Sequence, residues 1–397
     1  MTRFMKQIFG LLIIPLILIA CSDDPTSIGS QLIPGSDYIN FSFLDSFTDS
    51  LSQSSSFFVD KIPLGRSTKI LLGKNENLES WILTRFYILL PDSISHPLQN
   101  DSLNILSASV EMRPSYLFGD SNGIFDFTVH RVYNAWTPGG FDKDSMSTLN
   151  YEGSDFSSLR SITDSVITFD IDRSLVLDWM KRTYDENIQE NHGIVFIPTQ
   201  NTERIFGFPA YDDYSTEFLP RLSIVVEKPG SFVDTVLAIT FSDVHAVRGN
   251  SPTGSPENIL LQGGLVTHGK LYFDLSRIPL YSIVNRATLE LFVDTMETSN
   301  GSPAADSIKV FIFSDTTSKA LYDSTSYQFL VRDSSATTFN GEVTKLVQEW
   351  INGVENQGFR LNVSDEERAV NKVAVKGSTT TEADARPRLN IIYSEKK

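Results

Sequence analysis

Beyond its N-terminal segment, the chain consists of short runs rich in Val, Ile, Phe, Tyr and Thr, in which apolar and polar positions tend to alternate. Alternation with a period of two is typical of β-strands that bury one face. Turn-forming residues separate these runs, for example Asn122-Gly123, Pro229-Gly230 and Asn300-Gly301. Strands and turns at this spacing predict an all-β fold of the sandwich or barrel type.

The segment 81–90 alternates clearly and predicts two contrasting faces. One face offers Trp81 and Tyr87 beside Arg85, where a polar surface would be normal for a strand that meets solvent. Aromatic rings next to a planar guanidinium suit a sugar ring, so these three residues, with Trp136, are predicted to bind ligand. The alternatives are that this face packs under a loop or against a second domain, and that Trp136 closes the end of the sandwich. The opposite, core-facing set is predicted to be Ile82, Thr84, Phe86 and Ile88.

A series of sequence landmarks occurs twice in the same order, which predicts two copies of one β-rich unit. The first copy is predicted to span 38–228 and the second 231–397, with Lys228-Pro229-Gly230 as the linker between them. The corresponding segments are 71–73 with 260–262, 85–88 with 272–275, 107–112 with 286–291, 169–193 with 339–358, and 220–224 with 387–391.

Each unit is predicted to carry one short amphipathic helix packed on its sheet. Asp172 precedes the first helix and is a predicted N-cap. Trp179 and Trp350 lie on the apolar stripes of these helices, so we expect both to be core residues. The apolar positions at helical spacing are Leu175, Val176, Trp179 and Met180 in the first unit, and Val343, Leu346, Val347, Trp350 and Ile351 in the second.

The N-terminus has the pattern of a signal peptide at 1–20, with two basic residues before an apolar stretch too short to span a bilayer. It ends in Leu18-Ile19-Ala20-Cys21, which resembles the bacterial lipobox. The resemblance implies that Cys21 is lipidated and anchors the chain to the outer membrane, with 21–37 as a tether. Ser22-Asp23-Asp24 looks like the export signal of surface lipoproteins, so we expect the protein to face the cell exterior; the alternative is a plain solvated tether.

Composition and charge exclude several classes of function. The chain has 397 residues, a net charge of −16 and 49 acidic against 33 basic residues, which argues against nucleic acid as a partner. A single cysteine excludes a disulfide framework and a four-cysteine zinc site. We therefore expect no cofactor, although loop oxygens leave a structural calcium ion open as an alternative.

The repeated landmarks resemble those of DNRLRE-type domains: an extended Arg-Phe strand, a helix that ends in Trp, an Asn-x-Gly strand start and a closing Pro-x-Leu strand. The resemblance implies two tandem jelly-roll sandwiches of a kind associated with carbohydrate binding in secreted bacterial proteins. The chain departs from that family in lacking the tandem Asp-Asn-Arg cluster. Separately, residues 21–34 are similar to the start of an uncharacterised family of Bacteroidota lipoproteins, which implies location only.

Two patterns raise the possibility of catalysis. Gly119-Asp120-Ser121-Asn122-Gly123 fits the G-x-S-x-G elbow of hydrolases, but strands are predicted on both sides where a helix should follow. Glycoside hydrolysis needs two acids about 5–10 Å apart across a cleft. Asp170 and Asp172 share a strand face, but they precede a helix where a cap is expected. The acidic segment 365–367 is predicted to be solvated charge. The polar loops 139–160 and 249–258 are further places for recognition.

The sequence as a whole predicts a non-catalytic surface lipoprotein that binds polysaccharide or another glycan. A scaffold or protein-interaction lipoprotein without glycan binding is the first alternative, and a glycoside hydrolase is the second. These predictions differ in the surface they require: an aromatic groove for glycan, a flat apolar patch for protein, and a deep acidic cleft for catalysis.

Overall fold

The computed structural model of the protein describes residues 40–62, 64–212, 218–335 and 337–395. The predicted signal peptide 1–20, Cys21 and the tether 21–37 lie outside the described residues. Within the described parts, the chain forms two large antiparallel sheets and three short helices, so the predicted all-β sandwich fold is confirmed. No helix in these parts is both long enough and apolar enough to cross a membrane.

The first sandwich is built from one sheet of eleven strands. Two helices pack with it, α1 (Asp92–Gln99) and α2 (Arg173–Arg182). Its strands are β3 (Lys69–Asn75), β4 (Leu78–Tyr87), β5 (Asn104–Met112), β6 (Tyr116–Gly119), β7 (Phe127–Arg131), β8 (Ser157–Ile162), β9 (Ile167–Ile171), β10 (Ile194–Pro198), β11 (Arg204–Pro209), β12 (Arg221–Lys228) and β13 (Phe232–Gly249).

The second sandwich is built from one sheet of twelve strands, with helix α3 (Thr344–Ile351) against it. Its strands are β1 (Phe41–Asp45), β2 (Gln53–Val59), β14 (Asn258–Gln262), β15 (Thr267–Phe273), β16 (Ile283–Phe292), β17 (Ser307–Asp315), β18 (Ala320–Leu321), β19 (Gln328–Arg332), β20 (Thr338–Glu342), β21 (Phe359–Val363), β22 (Lys372–Lys376) and β23 (Arg388–Ser394).

Strand pairing does not follow the domain boundaries predicted at 228–231. β1 and β2, near the start of the described chain, pair with β23 and β15 of the second sandwich. β13 begins after the predicted linker, yet it pairs with β12 and β4 of the first sandwich. Pro229-Gly230 is therefore the turn of the β12–β13 hairpin, closed by a hydrogen bond from Ser231 N to Lys228 O. The chain crosses between the sandwiches at 60–68 and at 250–257 instead.

Each sandwich encloses its own hydrophobic core, and the predicted faces of β4 are confirmed. Ile82 and Phe86 lie in the first core, and Leu271 and Phe273 of β15 lie in the second. Alternation along a strand sends successive side chains to opposite faces, so this periodicity was sufficient to assign them.

The helices agree with the sequence pattern in two cases out of three. Asp172 accepts a hydrogen bond from Ser174 N at 2.7 Å and caps α2 as predicted. Trp179 and Trp350 are both buried in the cores, as expected for apolar stripes. Helix α1 was not predicted; it is only eight residues long and contains Pro97, a residue that normally interrupts a helix.

A small apolar cluster joins the two sandwiches, and hydrogen bonds beside it also connect them. The hydroxyl of Tyr116 donates to Asn371 Oδ1 at 3.1 Å and accepts from Val370 N at 3.1 Å. Leu117 and Ser302 exchange two backbone hydrogen bonds across the same junction. The cluster combines Leu64, Leu71, Leu78, Tyr116, Phe118, Ile205 and Val247 with Leu265, Ala369 and Val370. We call this contact the seam.

We expect a fragment that begins at the predicted boundary, residues 231–397, to lack a cooperative thermal transition. Without β1 and β2, the strands β23 and β15 lose partners, and the second core loses Leu44 and Leu51. Each such side chain contributes about 1.5–3 kcal/mol when buried. Circular dichroism of the fragment, with residues 40–395 as control, measures this. Cooperative unfolding of the fragment near the temperature of the control would contradict the pairing.

Candidate functional site

Trp81, a predicted ligand-binding residue, is buried, with 8% of its surface exposed. The guanidinium of Arg248 lies over its ring at 4.4 Å, and the edge of Tyr151 approaches at 6.2 Å. Its indole Nε1 donates a hydrogen bond of 2.5 Å to Glu79. The ring and the polar edge of Trp81 are thus in contact with other parts of the protein, and this corrects the expectation of an open aromatic surface.

Trp136 is also buried, with 6% of its surface exposed. Its Nε1 donates to the backbone oxygen of His192 at 2.7 Å, and its ring contacts Phe141. Trp136 and Trp81 belong to one apolar cluster that the segment 141–151 covers. The structure therefore realises the alternative in which this face of β4 packs under a loop.

Arg85 and Tyr87 continue from the buried tryptophans to the surface. Arg85 lies between two rings, 5.3 Å from Trp136 and 5.0 Å from Phe241. Phe241 in turn meets the edge of Tyr87 at 6.0 Å, and Tyr87 is 56% exposed. The four residues that were predicted to bind ligand are thus linked to one another through Phe241. Tyr87 is the solvent-exposed end of this series.

Tyr87 belongs to a row of exposed apolar side chains on the outer face of the first sandwich. β13 supplies alternate residues on this face, and Ile239 is the direct partner of Tyr87 in the β4–β13 ladder. The row is uncommon because the outer face of a sandwich is normally polar. We call it the outer row; it comprises Tyr87, Leu89, Val233, Leu237, Ile239 and Phe241.

A polar cleft of about 550 Å³ opens at one end of the seam. Both sandwiches form its walls: the β3–β4 turn and the end of β6 on one side, and 250–253, 299–300 and Lys372 on the other. Its lining is rich in side-chain amides, with Asn75, Asn77, Asn250, Gln262 and Asn300, accompanied by Ser251, Thr253, Ser299, Glu76, Asp120 and Lys372, and by the apolar Leu78, Phe118 and Pro252. We call it the seam cleft.

A hydrogen-bond network holds the second-sandwich wall of the cleft in place. Asn258 Nδ2 donates to Asp294 at 2.9 Å and to Glu297 at 2.7 Å. Glu297 also accepts from Ser255 N at 2.8 Å, so the loop that contains 250–253 is tied down where it enters β14. Lys376 neutralises Asp294 at 2.9 Å. The wall is thus positioned by contacts that lie outside the cleft itself.

Several polar groups in the seam cleft remain available for a ligand. Among the residues that the structure describes, the side chains of Gln262, Asn300 and Lys372 make no hydrogen bond to another residue. An amide presents donors and an acceptor side by side, and an ammonium adds three donors. Such groups suit a ligand that carries several neighbouring hydroxyls.

A buried charge network around His268 supports the loop that contains Glu366. The sequence did not predict this network. His268 is fully buried, and its Nε2 lies 2.6 Å from Glu366 Oε2, while Nδ1 lies 3.6 Å from Asp60. His268, together with Arg360, lowers the pKa of Asp60 to about 2. The expectation that 365–367 is solvated charge is wrong, because Glu366 is bound in this network and Asp365 accepts a hydrogen bond from Asn371.

The two sequence patterns that suggested catalysis, 119–123 and the pair Asp170 and Asp172, both have structural roles. Residues 119–123 form a turn between β6 and β7, with no helix after the serine as an elbow requires. Asp172 is committed to capping α2, so it does not pair with Asp170. Within the described ranges, no group of three or more His, Cys, Asp or Glu side chains is placed to hold a metal ion.

The carboxyl group of Asp243 lies beside Phe241 and makes the stability depend on pH. Burial raises its pKa from 3.8 to about 7, although a hydrogen bond from Tyr211 N acts in the opposite direction. The folded state therefore holds the proton more tightly than the unfolded state. Stability is highest below the unfolded pKa and falls as the pH rises towards the folded pKa.

We expect Asp243→Asn to remove this dependence, because the amide is neutral and its oxygen still accepts from Tyr211 N. The variant should match the parent near pH 4 and exceed its free energy of unfolding by up to about 4 kcal/mol at pH 8. Urea unfolding at both pH values measures this. Asp234→Asn, at an exposed position on the same strand, is the control, and equal pH dependence in all three proteins would refute the assignment.

Comparison of the sequence with protein-family models and with curated proteins finds no match. The resemblance to DNRLRE-type domains therefore rests on the residues that carry it and stays a prediction.

Proposed function

We propose that this protein is a lipid-anchored surface protein of a bacterial outer membrane that binds glycan without catalysis. The binding site in this proposal is the seam cleft rather than the face of β4 that bears Trp81. The observation that supports it is a cleft of about 550 Å³ in which the side chains of Gln262, Asn300 and Lys372 make no hydrogen bond within the described residues. This volume lies in the range of ligand pockets.

Glycan is the ligand class that this lining suits best. A sugar offers vicinal hydroxyls, which hydrogen-bond to side-chain amides in pairs, and an apolar ring face. Gln262 and Asn300 supply the amides, and Phe118 and Pro252 supply apolar contacts in the same cleft. An unmet polar group in such a site costs about 1–3 kcal/mol, which gives selectivity for a hydroxyl pattern.

The anchor in this proposal is Cys21, at the end of the apolar stretch. Several acyl chains at about 0.8 kcal/mol per buried methylene hold a protein firmly to a bilayer. The net charge of −16 opposes close contact with an anionic surface, so a tether at 21–37 would keep the sandwiches in solution. Display on the cell exterior is part of the proposal, on the strength of Ser22-Asp23-Asp24.

We expect Cys21→Ser to release the protein from membranes, because the substitution removes the thiol that carries the lipid. Fractionation of cells that express either form, followed by immunoblotting, measures the distribution. Ser22→Ala, which keeps the cysteine, is the control and should remain in the membrane fraction. If the Cys21→Ser protein still sediments with membranes, the lipid anchor is refuted.

We expect the Cys21→Ser chain to be retarded by at least one polysaccharide in affinity electrophoresis. Asn300→Ala should weaken that binding about tenfold, because it removes an amide worth about 1.5 kcal/mol. Asn285→Ala is the matched control, since Asn285 is exposed on β16 and does not line the cleft. Equal retardation of both variants would place the binding site elsewhere on the protein.

A protein-interaction function is the second candidate, and the outer row favours it. The six exposed apolar side chains of the outer row supply apolar surface of the kind that such a function requires. Absence of retardation on every polysaccharide, together with crosslinks from position 239 to another protein on intact cells, would replace the glycan proposal with this one.

A further inference from the structure

A second, smaller pocket of about 290 Å³ lies elsewhere along the seam. Strand β3 runs between this pocket and the seam cleft. Thr68, just before the strand begins, lines this pocket, and Asn75, at its end, lines the seam cleft. Seven residues of strand separate the sites by roughly 20 Å. The pocket is lined by Arg66 and Thr68 of the first sandwich and by Lys309, Ser364, Glu366, Glu367 and Arg368 of the second. We call it the basic pocket.

Three cationic side chains meet in this pocket, in a chain of net charge −16. Arg66, Lys309 and Arg368 form no salt bridge with any residue that the structure describes. By contrast, Arg131, Arg204 and Lys376 each pair with an aspartate at 2.8–2.9 Å. Acidic residues outnumber basic ones in this chain, so three cations that form no salt bridge in one pocket suit an anionic ligand.

The two glutamates in the lining do not cancel this charge. Glu366 is already committed, at 2.6 Å to His268 and 3.1 Å to the amide of Asn362. Glu367 is exposed and forms no salt bridge within the described ranges, so three cations stand against two carboxylates in this pocket. The cations are therefore the groups most available to a bound molecule.

Two hydroxyls complete a set of donors. Ser364 Oγ accepts a hydrogen bond of 2.8 Å from Ser307, which leaves its own proton free to donate. The hydroxyl of Thr68 has no partner among the described residues. Two guanidinium forks, an ammonium and two hydroxyls match the several acceptor oxygens of a phosphate, sulfate or carboxylate group.

The loops that carry these donors are fixed across the seam. Ser67 Oγ lies 2.6 Å from the backbone oxygens of both Glu367 and Lys69. This contact ties the residue next to Arg66 to the residue next to Arg368. The two arginines are thus presented from opposite sandwiches by backbone that is already in place.

We propose that the basic pocket binds an oxyanion, held between Arg66 of the first sandwich and Lys309 and Arg368 of the second. The bound group bridges the sandwiches and stabilises the seam. Free phosphate or sulfate and a sulfated or carboxylated glycan offer the same chemistry to this pocket. The site is independent of glycan binding in the seam cleft.

The test is isothermal titration of the Cys21→Ser chain with sodium sulfate at constant ionic strength, together with thermal unfolding. We expect saturable binding and a rise in the unfolding temperature. Arg66→Gln and Arg368→Gln should each weaken binding about tenfold. Lys345→Gln, which removes the same charge at an exposed position of α3, should leave binding unchanged. No saturable binding, or equal binding by all variants, overturns the proposal.

Dextran sulfate and neutral dextran distinguish the source of the anion. Tighter binding of dextran sulfate than of sulfate, lost in Arg66→Gln, supports a glycan-borne group. Equal binding per sulfate group supports a free ion. Binding of both polymers that is unaffected by Arg66→Gln and Arg368→Gln would assign recognition to another surface and overturn the proposal for this pocket.

Discussion

Backbone hydrogen bonding between distant parts of the chain is the constraint on which the structure depends. β1 and β2 complete the second sandwich, although some 200 residues of the first sandwich follow them before β14 begins. The chain must therefore cross between the sandwiches at 60–68 and return at 250–257. Both crossings run along the seam, and Arg66 and the residues 250–253 lie on them. The segments that connect the sandwiches are also the segments that line the two pockets.

Hydrogen bonds between buried polar groups help to hold the seam together. Tyr116 both donates and accepts a hydrogen bond, and Asn371 bonds to Tyr116, Gly301 and Asp365. A buried polar group without a partner costs about 1–3 kcal/mol, so this arrangement tolerates little relative movement of the two walls. Gly301 packs against Tyr116 so closely that a Cβ would lie 2.6 Å from its ring. A cleft with fixed walls binds a ligand at a lower entropic cost than a cleft that must first close.

Period-two alternation was sufficient to predict the sandwich class, the core side of β4 and the cap at Asp172, because each depends on neighbours a few residues apart. It did not predict which strands pair, since β1 and β23 meet through contacts more than 300 residues apart. Alternation also places Trp81 on the face opposite the core without saying that 141–151 covers that face. Residues 365–367 look solvated in sequence because their partners, His268 and Asn371, come from other strands and loops.

Both pockets at the seam are lined by polar side chains that have no partner within the described residues. On the outer face of β4, the loop 141–151 and stacked arginines occupy Trp81 and Trp136, so little binding capacity remains there. At the seam, a small apolar cluster joins the two sandwiches, and two pockets are lined by residues from both of them. Side chains from both sandwiches then face the same pocket. Both proposed binding sites need walls from the two sandwiches, so they depend on the same pairing of β1 and β2 that completes the fold.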